Sequence, residues 1–289
     1  MSHYTVLAII RKGSKQSLET LLAPYDENER VEPYVAKTKA QLIADEAQRI
    51  EKHRRSHAAA LKLSRDEYLA IAEKEDLYGN YARMRERLPY GYGSIDLTDE
   101  ETLFKRVKKE YGRELNEDGD LISTYNPDSK WDWYSIGGRW EGELRLKNGA
   151  PVNGGPAGLI DWDAVFSSSP TAAAKNAAFW DEYVLGKIPE TERRIDPDYI
   201  YNKYGFIFYR REYYLEFYKT KEEYVRRMGL WSTYAVLDDK GWHEPGAMGW
   251  WGCSDSTPES KKDWEDNFRS RFIDTLDPED HVVVIDCHI

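Results

Sequence analysis

The residues best suited to chemistry lie in one segment, which runs from Asn126 to Trp140 and reads NPDSKWDWYSIGGRW. Gly137 and Gly138 permit a tight turn and a close backbone approach, because glycine has no Cβ. The planar guanidinium of Arg139 suits phosphate or carboxylate, and indole faces stack on nucleobases. With a second aromatic segment, this pattern predicts a nucleotide site formed by Lys130, Trp131, Trp133, Arg139, Trp140, His243 and Trp250.

A structural interpretation of the same segment stays open. Alternating Trp and Tyr side chains on a strand fill a core, a glycine pair turns a corner, and Arg139 would then pair with a buried acid. Neither GxGxxG nor GxxxxGK[ST] occurs in the segment, so it has no phosphate loop of a known kind. The sequence leaves both interpretations, a ligand site and core architecture, in place.

The second aromatic segment covers residues 241–252 and reads GWHEPGAMGWWG. Its glycines and tryptophans favour a rigid loop, which either packs a hairpin or forms a wall of the nucleotide site. His243 and Glu244 are candidate acid–base groups. Adjacent residues on a strand point to opposite faces, however, so we do not expect these two to act together.

The sequence ends with a third candidate, Asp286-Cys287-His288-Ile289. Asp286 and His288 would share one face of a strand, which allows a general base or a metal ligand, but structural roles are the first interpretation. His53 and His57 have i,i+4 spacing, yet the Glu of HExxH is absent and the neighbours are cationic. We therefore predict no catalytic group, no metal site and no cofactor.

The elements that would position these residues follow from periodicity and capping patterns. Thr98 with Glu101 predicts one helix start, and Ser64 with Glu67 predicts another. Strands are expected at 4–10, 121–124, 143–146 and the C-terminal HVVVIDCHI, with a hairpin near 233–244 and extended structure over the tyrosine-rich residues 199–218. Helices are expected at 15–22, 34–63, 65–76, 99–111, 170–185 and 260–276. Thr220 with Glu223 predicts the start of a further short helix.

These elements predict an α+β fold. A mixed or antiparallel sheet would contain strands from both chain termini, with a long helical insertion between them. All ten tryptophans lie at or after Trp131, which divides the chain by composition. We therefore expect a β-α element of the core at 1–33, a helical arm at 34–118 and an aromatic-rich α+β core at 119–289.

Charge and composition exclude several classes of protein. The formal net charge is −11 and the pI is about 5.2, so no global field favours binding to duplex DNA or to an anionic membrane. No apolar run reaches the roughly 18 residues that a membrane span needs, and two cysteines are too few for a disulfide scaffold. A cytoplasmic location is expected, in the host cell if a phage encodes the chain.

Residues 34–65 nevertheless contain eight basic and three acidic residues, a local balance of +5. Such a run is either a solvated helix face or a docking surface for an acidic partner. Tyrosine enrichment at 199–218 is also typical of interfaces. The partner-binding candidates are Arg49, Lys52, Arg54, Arg55, Tyr199, Tyr201, Phe206, Tyr213 and Tyr214.

Three motifs, NPDSKWDWYSIGGRW, MGWWG and VVVIDCHI, resemble those of a family of uncharacterised phage and prophage proteins. The resemblance covers mostly residues 120–289 and leaves the helical insertion unmatched. The chain is also similar to Gabija anti-defence inhibitors. That similarity implies a phage protein that binds a host immune complex, as an oligomer, and inhibits it. The alternative is a nucleotide-binding protein that sequesters or hydrolyses a cyclic-nucleotide or related immune signal.

Overall fold

The computed structural model describes residues 2–188, 190–191, 198–205, 207, 209–249 and 253–289. The chain forms two compact units. Unit 1 consists of Met1–Glu29 together with Asn126–Ile289, and unit 2 is Arg30–Tyr125. The polypeptide therefore leaves unit 1 once, forms unit 2, and returns.

The elements are numbered along the chain. The strands are β1 His3–Ile10, β2 Arg30–Lys37, β3 Leu121–Tyr125, β4 Trp133–Ile136, β5 Leu144–Arg145, β6 Pro151–Val152, β7 Gly154–Pro156, β8 Ala235–Asp238, β9 Gly241–His243 and β10 His281–His288. The helices are α1 Leu18–Leu22, α2 Lys39–Lys62, α3 Arg65–Ala72, α4 Tyr81–Glu86, α5 Glu100–Tyr111, α6 Trp162–Val165, α7 Pro170–Phe179, α8 Tyr199–Tyr204, α9 Arg211–Tyr218, α10 Lys221–Met228 and α11 Pro258–Phe268.

Unit 1 is built on a mixed sheet with the strand order β4-β10-β1-β8-β9, in which β7 also pairs with β10. β1 is antiparallel to β10 and parallel to β8, so the strands nearest the two ends of the sequence lie side by side at the centre. The predicted α+β class, with both terminal strands in one mixed sheet, is confirmed.

The central strands are buried on both faces. Leu7 and Ile9 of β1 pack with α11 on one face, while Val6 and Ala8 pack with α1 on the other. This division follows from the twofold alternation of side chains along a strand. Both faces are apolar along most of β1 and β10, and the end of the sheet that holds His3 and His288 carries buried polar side chains, among them Thr5, Asp286 and His288.

Unit 2 combines the antiparallel pair β2–β3 with helices α2 to α5. The helix predicted from residue 34 begins at Lys39, because residues 34–37 belong to β2 and Thr38 caps the helix reciprocally with Gln41. The predicted end of this helix, residue 63, is correct to within one residue, since α2 ends at Lys62. Asp99, and not Thr98, caps α5.

The prediction of extended structure at 199–218 is wrong. The described residues of this segment form α8 and α9. Tyr213 packs against Phe217 and Tyr214 against Tyr218, with ring centroids 5.3 and 6.2 Å apart. Both pairs have i,i+4 spacing, which places aromatic side chains on one face of a helix. The aromatic content suggested a strand, while the spacing favoured a helix.

Other predicted elements are present with altered ends. The predicted hairpin is formed by β8 and β9. α7 and α11 each continue into a π-helical turn, at Trp180–Val184 and Arg269–Ile273, which accounts for the greater helix lengths predicted there. Among the described residues, none of the helices combines the length and apolar character that crossing a bilayer requires.

Candidate acid–base site

Three separate segments of unit 1 meet at one end of its sheet and form a group of polar and aromatic side chains. We define this histidine–aspartate cluster as His3, Asp132, Trp133, Asp286 and His288. The strand register explains the meeting, because His288 of β10 lies opposite His3 on β1 and opposite Trp133 on β4. Asp286 lies two residues earlier on the same face of β10.

Each imidazole is hydrogen-bonded to one carboxylate. His3 Nδ1 lies 2.8 Å from Asp286 Oδ1, and His288 Nδ1 lies 2.6 Å from Asp132 Oδ1. An ionised carboxylate only accepts hydrogen bonds, so each Nδ1 carries a proton. The bond therefore fixes the tautomer of the neutral ring and leaves its Nε2 as the acceptor. The two ring centroids are 5.0 Å apart.

The cluster is shielded from solvent on most sides. Asp286 is 2% exposed and His288 is 6% exposed. The Nε2 atom of His288 is buried and has no hydrogen-bond partner among the described residues. A buried polar atom without a hydrogen-bond partner costs about 1–3 kcal/mol of folding free energy. The unpaired Nε2 of His288 therefore destabilises the folded chain.

Trp133 forms the exposed wall of the cluster. Its indole is 44% exposed and stacks on the His288 ring, with centroids 5.2 Å apart and planes 17° apart. It also meets the edge of the His3 ring at 5.2 Å. β4 is the outermost strand of the sheet order, so this side chain separates the imidazoles from solvent.

The turn formed by Gly137 and Gly138 places the backbone amide of Arg139 against Asp286 of the cluster. Both glycines have positive φ, 73° and 53°. A Cβ on Gly138 would lie 2.4 Å from the Cβ of Asp286 and 2.6 Å from Ser135 Oγ, which only glycine avoids. The Arg139 amide donates to Asp286 Oδ2 at 3.1 Å. Its exposed guanidinium forms no ion pair with a residue that the structure describes.

The predicted nucleotide-binding residues do not all come together. Trp133 and Arg139 lie at the cluster. Trp131 is buried on the opposite face of the sheet, where its Nε1 donates to the Leu22 carbonyl. The remaining described residues of the prediction are Lys130, which pairs with Glu244 at 2.6 Å, Trp140, which packs against the α11 side of the core, and His243, which bonds to Asp238 at 2.9 Å near the far end of β1. Trp250 lies outside the described residues.

Sequence reasoning missed His3 and Asp132 as members of a site. His3 is a single histidine at the start of an apolar strand, and Asp132 is hidden among tryptophans, so neither had a spacing signal. The shared strand face of Asp286 and His288 was the signal that existed. That signal does not identify β1 as the neighbouring strand, because His3 lies 283 residues away from Asp286 in sequence.

Cys287 takes no part in the cluster, since alternation along β10 turns it to the opposite face. Burial, together with the nearby Asp286 carboxylate, raises the pKa of the Cys287 thiol far above its usual range. The thiol is therefore held neutral and packs as an apolar group. The adjacent Cys–His pair is not a nucleophilic dyad.

The predicted partner-binding cations of α2 are engaged within unit 2. Arg49 pairs with the buried Glu46 at 2.5 Å, and Arg54 donates to the carbonyls of Tyr92 and Ile95. Lys52 and Arg55 both reach Asp76, at 2.6 and 3.5 Å. Partner binding by these four residues stays a prediction.

The predicted tyrosines of unit 1 differ in exposure. Tyr201 is 62% exposed, and the Tyr199 hydroxyl accepts from Lys203. Tyr213 and Tyr214 are half-buried in an aromatic cluster, where burial raises the pKa of Tyr214 to about 12. Phe206 lies outside the described residues.

Comparison with known proteins adds no relative to this picture. The chain matches no protein-family model, and no curated protein or solved structure shows significant similarity to it. The site therefore rests on the geometry of its own residues, and the resemblance to phage inhibitors stays a prediction.

Proposed function

We propose that unit 1 binds nucleotides at the histidine–aspartate cluster. The observation that carries the proposal is that two imidazoles, each bonded to a carboxylate through Nδ1, meet an exposed indole. Each neutral imidazole keeps Nε2 as an acceptor for a ligand hydroxyl. The indole of Trp133 offers a flat face on which a base stacks, an interaction worth about 1–3 kcal/mol.

Arg139 supplies the charge that a phosphate requires. Its amide is fixed on Asp286, and its guanidinium is exposed without an ion pair to a described residue. A planar guanidinium binds two phosphate oxygens at once. Because the whole chain carries a net charge of −11, phosphate binding depends on such a local cation.

The stacked indole also defines how a ligand enters. Trp133 covers the ring of His288, whose Nε2 is shielded from solvent. We propose that a ligand enters beside the exposed indole and stacks its base on it. Tryptophan fluorescence should change when a nucleotide binds, and Trp133→Phe should remove that change.

Thermal stabilisation by a panel of linear and cyclic nucleotides tests the proposal. A ligand that binds only the folded chain stabilises it by about 2.7 kcal/mol at 100 times its Kd. Arg139→Ala should weaken binding. Arg145→Ala should not, because Arg145 is an exposed arginine of β5, which belongs to a separate two-stranded sheet with β6 and not to the sheet that holds the cluster. A panel that leaves the melting curve unmoved would contradict nucleotide binding.

A second proposal is protein binding by α8, α9 and Tyr209 between them, favoured by the exposed side chains of Tyr201, Tyr209 and Leu215. Inhibition of a host defence complex by a phage-encoded oligomer belongs to this proposal. A pull-down from host lysate, combined with a mass measured by light scattering, tests it. A monomer that retains no partner, and whose Tyr201→Ala variant behaves identically, would contradict it.

A further inference from the structure

We infer that the histidine–aspartate cluster cleaves the phosphodiester bonds of ribonucleotides by general acid–base catalysis. The inference rests on the proposed nucleotide binding and adds a reaction and a substrate class to it. The group that carries it is a pair of imidazoles whose centroids are 5.0 Å apart, each with Nδ1 on a carboxylate.

Two such imidazoles supply the two proton transfers that phosphodiester cleavage needs. One neutral ring accepts a proton at Nε2, and the other, protonated ring donates one from Nε2. The carboxylates of Asp132 and Asp286 orient the rings and stabilise the positive charge that forms on the accepting ring. The unpartnered Nε2 of His288 then has a function, since a substrate hydroxyl satisfies it.

A ribonucleotide provides its own nucleophile. The 2′-hydroxyl oxygen attacks the adjacent phosphorus while its proton passes to the Nε2 of one imidazole. The bond between phosphorus and the 5′-oxygen breaks, and that oxygen takes the proton from the Nε2 of the other imidazole. The products are a 2′,3′-cyclic phosphate and a 5′-hydroxyl. Atoms and charge balance without an oxidant, a reductant or a covalent intermediate on the chain.

The surrounding residues suit this substrate. The Arg139 amide is bonded to Asp286, and we expect the exposed guanidinium of this residue to stabilise the charge that develops on the phosphate oxygens. Trp133 would stack one of the flanking bases, which favours a single strand over a duplex whose bases are already stacked. The substrate class is therefore single-stranded RNA or a short ribonucleotide.

The experiment compares an RNA oligonucleotide with a DNA oligonucleotide of the same sequence, incubated with the full chain in the presence of EDTA. We expect both to bind and only the RNA to be cleaved, with a 2′,3′-cyclic phosphate identified by mass spectrometry. His3→Asn and His288→Asn keep a donor near the Nδ1 position but lose Nε2. Each should slow cleavage by about 10²–10⁴-fold while binding persists.

His243→Gln is the matched control, because His243 bonds to Asp238 through Nε2 at a different end of the sheet. It should cleave at the wild-type rate. RNA that binds without being cut would overturn the inference and leave nucleotide binding standing, whereas failure to bind any nucleotide would refute both. Cleavage that persists in both histidine variants would also overturn it. If either variant does not fold, as judged by its melting curve, Asp132→Asn serves instead, since Asp132 is partly exposed.

Discussion

Asp132 and Asp286 decide what the two imidazoles are able to do. Each carboxylate accepts from an Nδ1 and so holds the neutral ring in the tautomer with an open Nε2. A histidine with the opposite tautomer would present an N–H to the ligand and would not accept its proton. The chemistry of the cluster is therefore controlled by side chains that need not touch the substrate.

Asp132→Asn tests this control. The amide of asparagine donates to Nδ1 and moves the proton of His288 to Nε2. We expect RNA cleavage to fall by about 10²–10⁴-fold, nucleotide binding to persist, and the melting temperature to change little, because the Asp132 side chain is 34% exposed. Asp239→Asn is the control, a more exposed carboxylate near the far end of β1. An unchanged cleavage rate in Asp132→Asn would remove Asp132 from the mechanism.

At the scale of elements, the site depends on how turns and strand ends are fixed. The Gly137–Gly138 turn packs its backbone onto the Asp286 side chain more closely than any Cβ allows. At the other end of the sheet, Arg11 bridges three carboxylates, those of Asp238 at the end of β8, Asp239 just after it and Asp280 just before β10. Each of these contacts fixes strands that are distant in sequence.

Gly138→Ala should destabilise the chain by more than Gly149→Ala does. Both glycines have positive φ, so both variants incur about 1–2 kcal/mol of backbone strain. Only at Gly138 does the new methyl group collide with Asp286, whereas nothing lies within 4 Å at Gly149. Chemical unfolding of the two variants measures the difference. Equal losses would mean that the turn does not press on Asp286.

Arg11→Met should cost about 2 kcal/mol at neutral pH, because it removes charged hydrogen bonds from Asp238 and Asp280, whose side chains are each 4% exposed. Burial opposes ionisation of Asp280, but hydrogen bonds from the Lys12 amide and Arg11 prevail and lower its pKa.

A carboxyl whose pKa is lower in the folded chain stabilises the fold above its unfolded pKa, and that contribution is lost as the pH falls through the folded value. The stability gap between wild type and Arg11→Met should therefore narrow in acid. Urea unfolding at several pH values measures it, with Arg145→Met as the control. A gap that stays constant with pH would rule out the carboxylates as its source.

The sequence predicted individual elements better than their pairing. Apolar runs identified β1 and β10, and capping residues identified several helix starts. The acid–base site arises from register between strands at opposite ends of the chain, such as His3 opposite His288. No local pattern determines that register, because it results from burial of both faces of the sheet. The tyrosine-rich segment forms helices although its aromatic content favours strands, because rings at i,i+4 spacing pack on one face of a helix.

At the scale of the whole molecule, charge opposes the ligand that the site is proposed to bind. The net charge of −11 repels an anionic nucleotide at long range, and Arg139 attracts it only nearby. Raising the ionic strength from about 10 to 150 mM shortens the Debye length from about 30 to 8 Å. Association should therefore become faster with salt.

Stopped-flow fluorescence measures this effect, with an uncharged nucleoside as the control whose rate should not respond to salt. Association of the nucleotide that slows with salt would mean that local cations dominate the encounter and that the net charge does not.

Nuclear magnetic resonance of the imidazole nitrogens observes the Nε2 atoms of His3 and His288 themselves. In the ¹⁵N-labelled chain we predict protonated Nδ1 atoms in His3 and His288, and Nε2 resonances of both that shift on titration with a nucleotide. His243, whose Nε2 is already bonded to Asp238, serves as an internal reference and should not move. Nucleotide binding that leaves the nitrogens of His3 and His288 unchanged would show that the ligand does not bind at the histidine–aspartate cluster.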